Sequence, residues 1–270
     1  MMFTVNNDCL KCGLCAELCP ARIIKYVKKQ PPEVPDELEN RCIQCGQCVA
    51  FCPTGACHLS FQPDEERVAL NLSSLPEADS AETFIRSRRS IRHFKDEPLP
   101  DDLITRILET TRFAPSASNS QPVRWIVIRA RQSLLELGMM TARHFQNSPS
   151  GDEQRRKHFS AVAAAQERGE DIIFRGAPQL ALAVVPKVTP YPEDAAIALT
   201  YFELGAHALG VGCCWAGYFT SAAREDEAVQ KALKLESSEL VVGGQMFGRP
   251  KGPAPAKILP PRKKPDLTWL

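Results

Sequence analysis

Eight of the chain's 11 cysteines fall in two matching runs. Cys9, Cys12, Cys15 and Cys19 are followed by Pro20; Cys42, Cys45, Cys48 and Cys52 are followed by Pro53. A cubane of four irons and four sulfides needs four thiolates, one at each iron. A C-x2-C-x2-C loop wraps three corners, and the fourth ligand comes from elsewhere. In chains that carry this repeat twice, the last cysteine of each run serves the other cluster. The pattern therefore predicts one cluster on Cys9, Cys12, Cys15 and Cys52, and a second on Cys42, Cys45, Cys48 and Cys19. Pro20 and Pro53 turn the chain behind each crossing cysteine. Structural zinc prefers two separated C-x2-C pairs. A secreted disulfide knot needs an export signal, which residues 1–8 do not resemble.

Residues 1–62 thus resemble the bacterial two-cluster ferredoxins, which implies an electron-transfer module with two [4Fe-4S] clusters. Within it Lys11, Arg22, Lys25, Lys28, Lys29 and Arg41 balance Asp8, Glu17, Glu33, Asp36, Glu37 and Glu39. A freely diffusing carrier often uses a strongly acidic surface for steering. A neutral module reads as a relay tethered to its own client. Cys57, Cys213 and Cys214 lie outside the motif and read as small buried hydrophobes, with a place beside a cluster as the other reading of Cys57. His58 reads as structural.

With 270 residues and 44% hydrophobic content, the chain is long enough for one small and one medium domain. A net charge of +1 argues against nucleic acid or an anionic membrane as partner. No apolar run reaches the length of a spanning helix, so a soluble protein is expected. Abundant metal-type cysteines fit a reducing cytoplasm.

The elements that must hold a second site follow a linker at 63–80, rich in proline, serine and acidic residues. A helix begins near Ala81. Asp101 or Asp102 is expected to cap the next helix, with Leu103, Ile104, Ile107 and Leu108 at helical spacing. Trp125–Ile128 and Leu180–Val185 read as strands. A helix is expected from Ser133 to Phe145. Ser148–Gly151 reads as a loop and Asp152–Arg168 as a helix, together a mobile excursion or lid. Pro192–Leu209 reads as a helix apolar on most sides, and His207 within it as a core histidine. Glu225–Leu235 reads as an amphipathic helix and Leu240–Phe247 as a last strand. Without regular βαβ alternation this is an α+β arrangement around a central, mostly antiparallel sheet. No G-x-G-x-x-G or phosphate-binding P-loop occurs.

Four stretches of residues 81–270 carry chemistry together. Arg88, Arg89, Ser90 and Arg92 crowd three guanidinium groups and a hydroxyl, as a phosphate and an electron-poor ring would need. Pro115–Pro122 is a polar loop bounded by prolines. Cys214-Trp215-Ala216-Gly217 follows the core helix, and Arg262, Lys263 and Lys264 add a late cationic patch. In this order they resemble the nitroreductase family of FMN enzymes over residues 81–265. Nitroreductase-like domains fused to a two-cluster ferredoxin form a subgroup that the whole chain resembles.

That resemblance implies Arg88, Arg89, Ser90 and Arg92 around the FMN phosphate, ribityl chain and pyrimidine edge. It implies Pro115, Ser116 and Ala117 against the flavin of the other subunit of a homodimer, and Asn119 bracing that loop. Ala216 and Gly217 would offer backbone N–H groups to the flavin, and Arg262 and Lys263 would complete the phosphate site. No catalytic side chain is implied, because flavin N5 carries the chemistry. The expected function is electron transfer between clusters and FMN to a small organic acceptor of nitroaromatic or quinone type. NAD(P)H or reduced ferredoxin is the expected donor. The alternative is an adaptor that couples one-electron and two-electron carriers for a protein partner.

Overall fold

The computed structural model describes residues 1–63, 65, 67–147 and 153–270. The expected loop Ser148–Gly151 and the helix start at Asp152 lie outside the described residues. The chain divides into two compact units, one of residues 1–75 with 117–120, the other of residues 76–116 with 121–270.

In the first unit, β1 (Phe3–Val5) pairs antiparallel with β2 (Cys57–Leu59), with Phe3 opposite Leu59 and Val5 opposite Cys57. Strand β2 follows directly on the second cysteine run; its partner β1 carries no motif that marks it. Between them lie two four-residue helices, α1 (Leu14–Glu17) and α2 (Gln47–Ala50), one in each cysteine run. The runs repeat in backbone as well as in sequence. Lys11 and Gln44 both sit at φ 54°, Gly13 and Gly46 at 82° and 69°, and Arg22 and Gly55 at 52° and 68°. These left-handed turns wrap each C-x2-C-x2-C loop. Glycine meets that conformation without strain, and other residues do so rarely. Phe3, Ile23, Ile24, Val34 and Leu59 fill a small core.

The second unit is built on an antiparallel sheet in the order β3-β4-β6-β5. The strands are β3 (Arg124–Ile128), β4 (Gln179–Pro186), β5 (Gly212–Trp215) and β6 (Glu239–Gly248). Strand β4 is central and buried on both faces, which is why its sequence is a continuous apolar run. Leu180, Leu182 and Val184 point to one core, while Ala181, Ala183 and Val185 point to the opposite face. The helices supply two covering layers. On the alanine side lie α4 (Asp101–Thr111) and α7 (Glu193–Ala208), with Ile107, Phe202 and Ala206 buried. On the leucine side lie α5 (Arg131–Asn147), α6 (Glu153–Glu167) and α8 (Gly217–Glu225). α3 (Ala78–Ser87) and α9 (Glu227–Ala232) complete the unit.

Three local expectations need correction. Pro100 takes the N-cap position of α4, so Asp101 and Asp102 fall in the first turn. There they favour the helix through its dipole rather than by capping. The expected lid helix, α6, is a core element: Phe159, Val162 and Ala163 are buried, and the Phe159 ring stacks on Phe145 with centroids 4.3 Å apart. The helix expected at 225–235 is shorter, α9 alone, because the carboxylate of Asp226 accepts from the Ala228 and Val229 N–H groups and starts it there, and α8 ends at Glu225.

Candidate functional site

Each unit holds its own site. In the first, Cys19, Cys42, Cys45 and Cys48 surround one cavity, whose other walls include Ile23, Ile24, Val34 and Leu59. Cys9, Cys12, Cys15 and Cys52 surround another, with Cys57 and Thr54 also in its wall. The fourth cysteine of each run therefore stands with the first three of the other run. Among the described residues, no three His, Cys, Asp or Glu side chains are spaced for a single metal ion. Four thiols around a space, with apolar side chains behind them, fit the donor set of a cubane.

The two cavities differ electrostatically. A hydrogen bond with the Cys57 thiol holds the Cys15 thiol down at about 7, against the opposing effect of burial. The same contact, with burial, pushes Cys57 up. Burial raises Cys52, but the Thr54 N–H, the Cys57 N–H, the Thr54 hydroxyl and the Ala56 N–H outweigh it and lower the thiol. In the other cavity burial pushes Cys48 up to about 12.

In the second unit the arginine run leaves the end of α3 in extended backbone. It joins the sheet edge through one parallel bridge, Ser90 to Cys213, where the Ile91 N–H donates to Cys213 O at 2.9 Å. Arg88 and Arg89 line a cavity of ≈ 250 Å³ together with Glu203, His207, Gly212 and Pro253–Ala256. That space suits the phosphate end of a cofactor rather than a whole three-ring system. Arg88 Nη1 is held by Glu203 Oε1 at 2.6 Å, and both side chains are mostly buried. His207 Nε2 lies 2.9 Å from Ser87 Oγ, whose own proton goes to Phe84 O. Burial, then the charge of Arg88, lowers the His207 pKa. A neutral imidazole therefore stands beside the guanidinium at pH 7. Ser90 and Arg92 lie outside this cavity; Ser90 hydrogen-bonds to the Cys214 thiol, which burial raises and the nearby Arg92 charge lowers. Cys213 and Cys214 are both buried.

Close packing fixes the arginine run. A Cβ at Gly212 would stand 2.7 Å from Ile91 Cγ1 and 2.8 Å from its Cβ. Gly212→Ala is therefore expected to destabilise the unit by about 1–3 kcal/mol as an overpacking change. It should also displace the segment that carries Arg88 and Arg89. Thermal unfolding checks this, and an unchanged midpoint would show that Ile91 simply moves aside.

Other expected residues are distributed less simply. The Ala216 N–H donates to Gly244 O at 2.9 Å, so it is engaged inside the protein. Gly217 opens α8, where first-turn N–H groups have no intrahelical partner. Of the expected pair, Gly217 is the one suited to a ligand. Asn119 reaches beyond its own loop: its Nδ2 donates to Ile43 O at 3.2 Å and Gln44 O at 3.1 Å, within the first unit. Ser116 also ties the loop, its hydroxyl accepting from the Gln121 N–H at 3.0 Å. Ser118, Asn119 and Gln121 all have positive φ, so this loop holds stored backbone strain. Pro115 is exposed, while Ser116 and Ala117 are half-buried. Arg262 and Lys263 lie in an exposed tail and are not walls of the arginine cavity; Pro253–Ala256 occupy that side. Glu203 and His207, both from α7, are the residues that the motifs did not mark. No helix among the described residues is long and apolar enough to cross a membrane.

Comparison with known proteins gives a family match for each of two stretches of the chain. Residues 85–249 match the family model described as "Nitroreductase family", and residues 8–56 match that of the "4Fe-4S dicluster domain". A protein of Archaeoglobus fulgidus named "Putative NADH dehydrogenase/NAD(P)H nitroreductase" is 27% identical over 173 residues, covering 62% of this chain and 84% of its own. A nitroreductase of Bacteroides fragilis, solved with bound FMN, matches with a TM-score of 0.58 at 23% identity, covering 70% of this chain and 97% of its own. An iodotyrosine deiodinase solved with FMN and 3-iodo-L-tyrosine matches with a TM-score of 0.54 at 20% identity, over 70% of this chain and 97% of its own. At such identities the structural likeness establishes a shared fold.

Proposed function

The chain belongs to the nitroreductase family of oxidoreductases, and from that premise we propose an FMN enzyme that carries its own pair of [4Fe-4S] clusters. Electrons pass between the clusters and the flavin and leave to a small organic acceptor of nitroaromatic or quinone type. One observation carries this reading: a single chain holds two four-cysteine cavities and an arginine-lined cavity in a nitroreductase fold. The names of its relatives favour a nicotinamide donor, and reduced ferredoxin is the donor that a cluster module adds.

The residues have separable tasks. Cys9, Cys12, Cys15 and Cys52 hold one cluster, and Cys19, Cys42, Cys45 and Cys48 hold the other. Arg88 and Arg89 bind the phosphate end of FMN, with Glu203 fixing the Arg88 fork. Ser90 and Arg92 are assigned to the ribityl and pyrimidine side, and the Gly217 N–H to the flavin ring. Pro115, Ser116 and Ala117 are assigned to the flavin of the other subunit in a homodimer, and Arg262 and Lys263 to the outer phosphate surface. The bound flavin supplies hydride and single-electron chemistry at N5, so no protein acid or base is required.

The test is anaerobic rapid mixing of the full-length, cofactor-loaded protein with NADH, with NADPH and with a one-electron donor. Flavin and clusters should reduce in sequence at a rate independent of protein concentration, and added nitroaromatic or quinone should then reoxidise both. A loaded protein that reoxidises neither with any such acceptor would instead be an adaptor for a protein partner.

A further inference from the structure

The two cysteine runs superpose at a constant offset of 33 residues, from Cys9 and Cys42 through to Cys19 and Cys52. Continuing that offset sets Ile24 against Cys57. Both are buried, and each lines its cavity: Ile24 that of Cys19, Cys42, Cys45 and Cys48, Cys57 that of Cys9, Cys12, Cys15 and Cys52. The first cavity therefore contains five thiols where the second contains four and an isoleucine. Cys57 is not a loose side chain. It lies on β2, whose alternation turns Cys57 and Leu59 inward, and its partner across the ladder is Val5. Its side chain stands in the same cavity wall as Cys15 and Cys52.

We propose that Cys57 tunes the first cluster site, donating its S–H to a ligand sulfur of Cys15 or Cys52 and raising that cluster's reduction potential above the second's. The proposal rests on the reading that the two cavities hold clusters. The physical reason is charge. Reduction adds an electron to a cluster whose thiolates already carry negative charge. A donor aimed at a ligand sulfur favours the more negative state, and hydrogen bonds to the sulfurs are among the terms that set cluster potentials. Ile24 offers no donor, so the second cluster lacks this term. A module that has taken up a single electron then keeps it at the Cys9–Cys15 end. Cys57 is a positioning residue here and not a fifth ligand.

The experiment is a potentiometric titration of the full-length loaded protein followed by electron paramagnetic resonance. The forms compared are the parent, Cys57→Ile, Cys57→Ala and Cys57→Ser. Each is repeated in a Cys19→Ala background, which leaves the first cluster alone in view. Cys57→Ile should lower the first-cluster potential and narrow the gap between the two, with the second unchanged. Cys57→Ala should do the same while leaving more room, should the isoleucine hinder loading. Cys57→Ser keeps an O–H donor and should hold the potential near the parent's. Unchanged potentials in the Ile and Ala forms, or a serine form that falls with them, would overturn the proposal. Iron analysis separates the two levels: a parent protein that binds no clusters defeats the cluster reading, whereas intact clusters with unshifted potentials defeat only the role of Cys57.

Discussion

Cys19→Ala is expected to strip the chain of the cluster held by Cys42, Cys45 and Cys48, while sparing the one beside it in sequence. Cys19 belongs to the first run, yet its side chain lines the cavity of the second. Cys52 stands in the reciprocal position. The loaded parent should contain about eight irons, four for each cluster, and the variant about four. Cys52→Ala should lose the other half. The loss should also be mechanical. The first unit's core is a small group of side chains into which Cys15, Cys19, Cys42, Cys48 and Cys52 themselves pack. Ligand binding to such a site is coupled to folding, so each variant should unfold at a lower temperature than the loaded parent. Iron analysis with spectroscopy of the remaining cluster decides the matter. If Cys19→Ala damages the Cys9–Cys15 cluster instead, the exchanged ligation is wrong.

Arg88→Ala should weaken FMN binding by roughly ten- to a hundredfold, the equivalent of about 1.5–3 kcal/mol for one charge-assisted contact. The effect has two sources. A phosphate contact is lost, and Glu203, whose side chain is only 17% exposed, is left without its ion-pair partner. Glu203→Gln separates them. It keeps a hydrogen-bond acceptor for Arg88 and leaves the guanidinium in place, so FMN affinity should fall less than in Arg88→Ala. Isothermal calorimetry on both variants makes the comparison. Equal affinity of parent and Arg88→Ala would mean that Arg88 serves Glu203 alone and takes no part in holding phosphate.

What the sequence discloses follows from how each feature is encoded. The cysteines recur at fixed spacing, so the two sets that line the cavities can be read from residues 9–52 without a fold. Strand β4 announces itself because burial on both faces demands an uninterrupted apolar run. The arginine run also stands out, being three like charges in five residues. Its partners do not. Glu203 lies 115 positions after Arg88, on a helix whose apolar sides suggest only a core. His207 reads as core filler until Ser87 is set beside it. Arg262 and Lys263 attract notice by charge alone, whereas Pro253–Ala256, with neither charge nor period, form the wall of the cavity. α8 escapes notice because it starts immediately after an edge strand, at a glycine. Asn119 shows that a loop motif fixes residue types but not which carbonyls its amide will find.

The left-handed turns stand at matching places in the two cysteine runs: Lys11 with Gln44, Gly13 with Gly46 and Arg22 with Gly55. The match fails at one residue type. At the turn after its crossing cysteine the second half has Gly55 at φ 68°, while the first has Arg22 at φ 52°, a conformation that disfavours a side chain. Each run can therefore serve as a template for its sibling: Gly55 marks the residue that would relax the turn at Arg22.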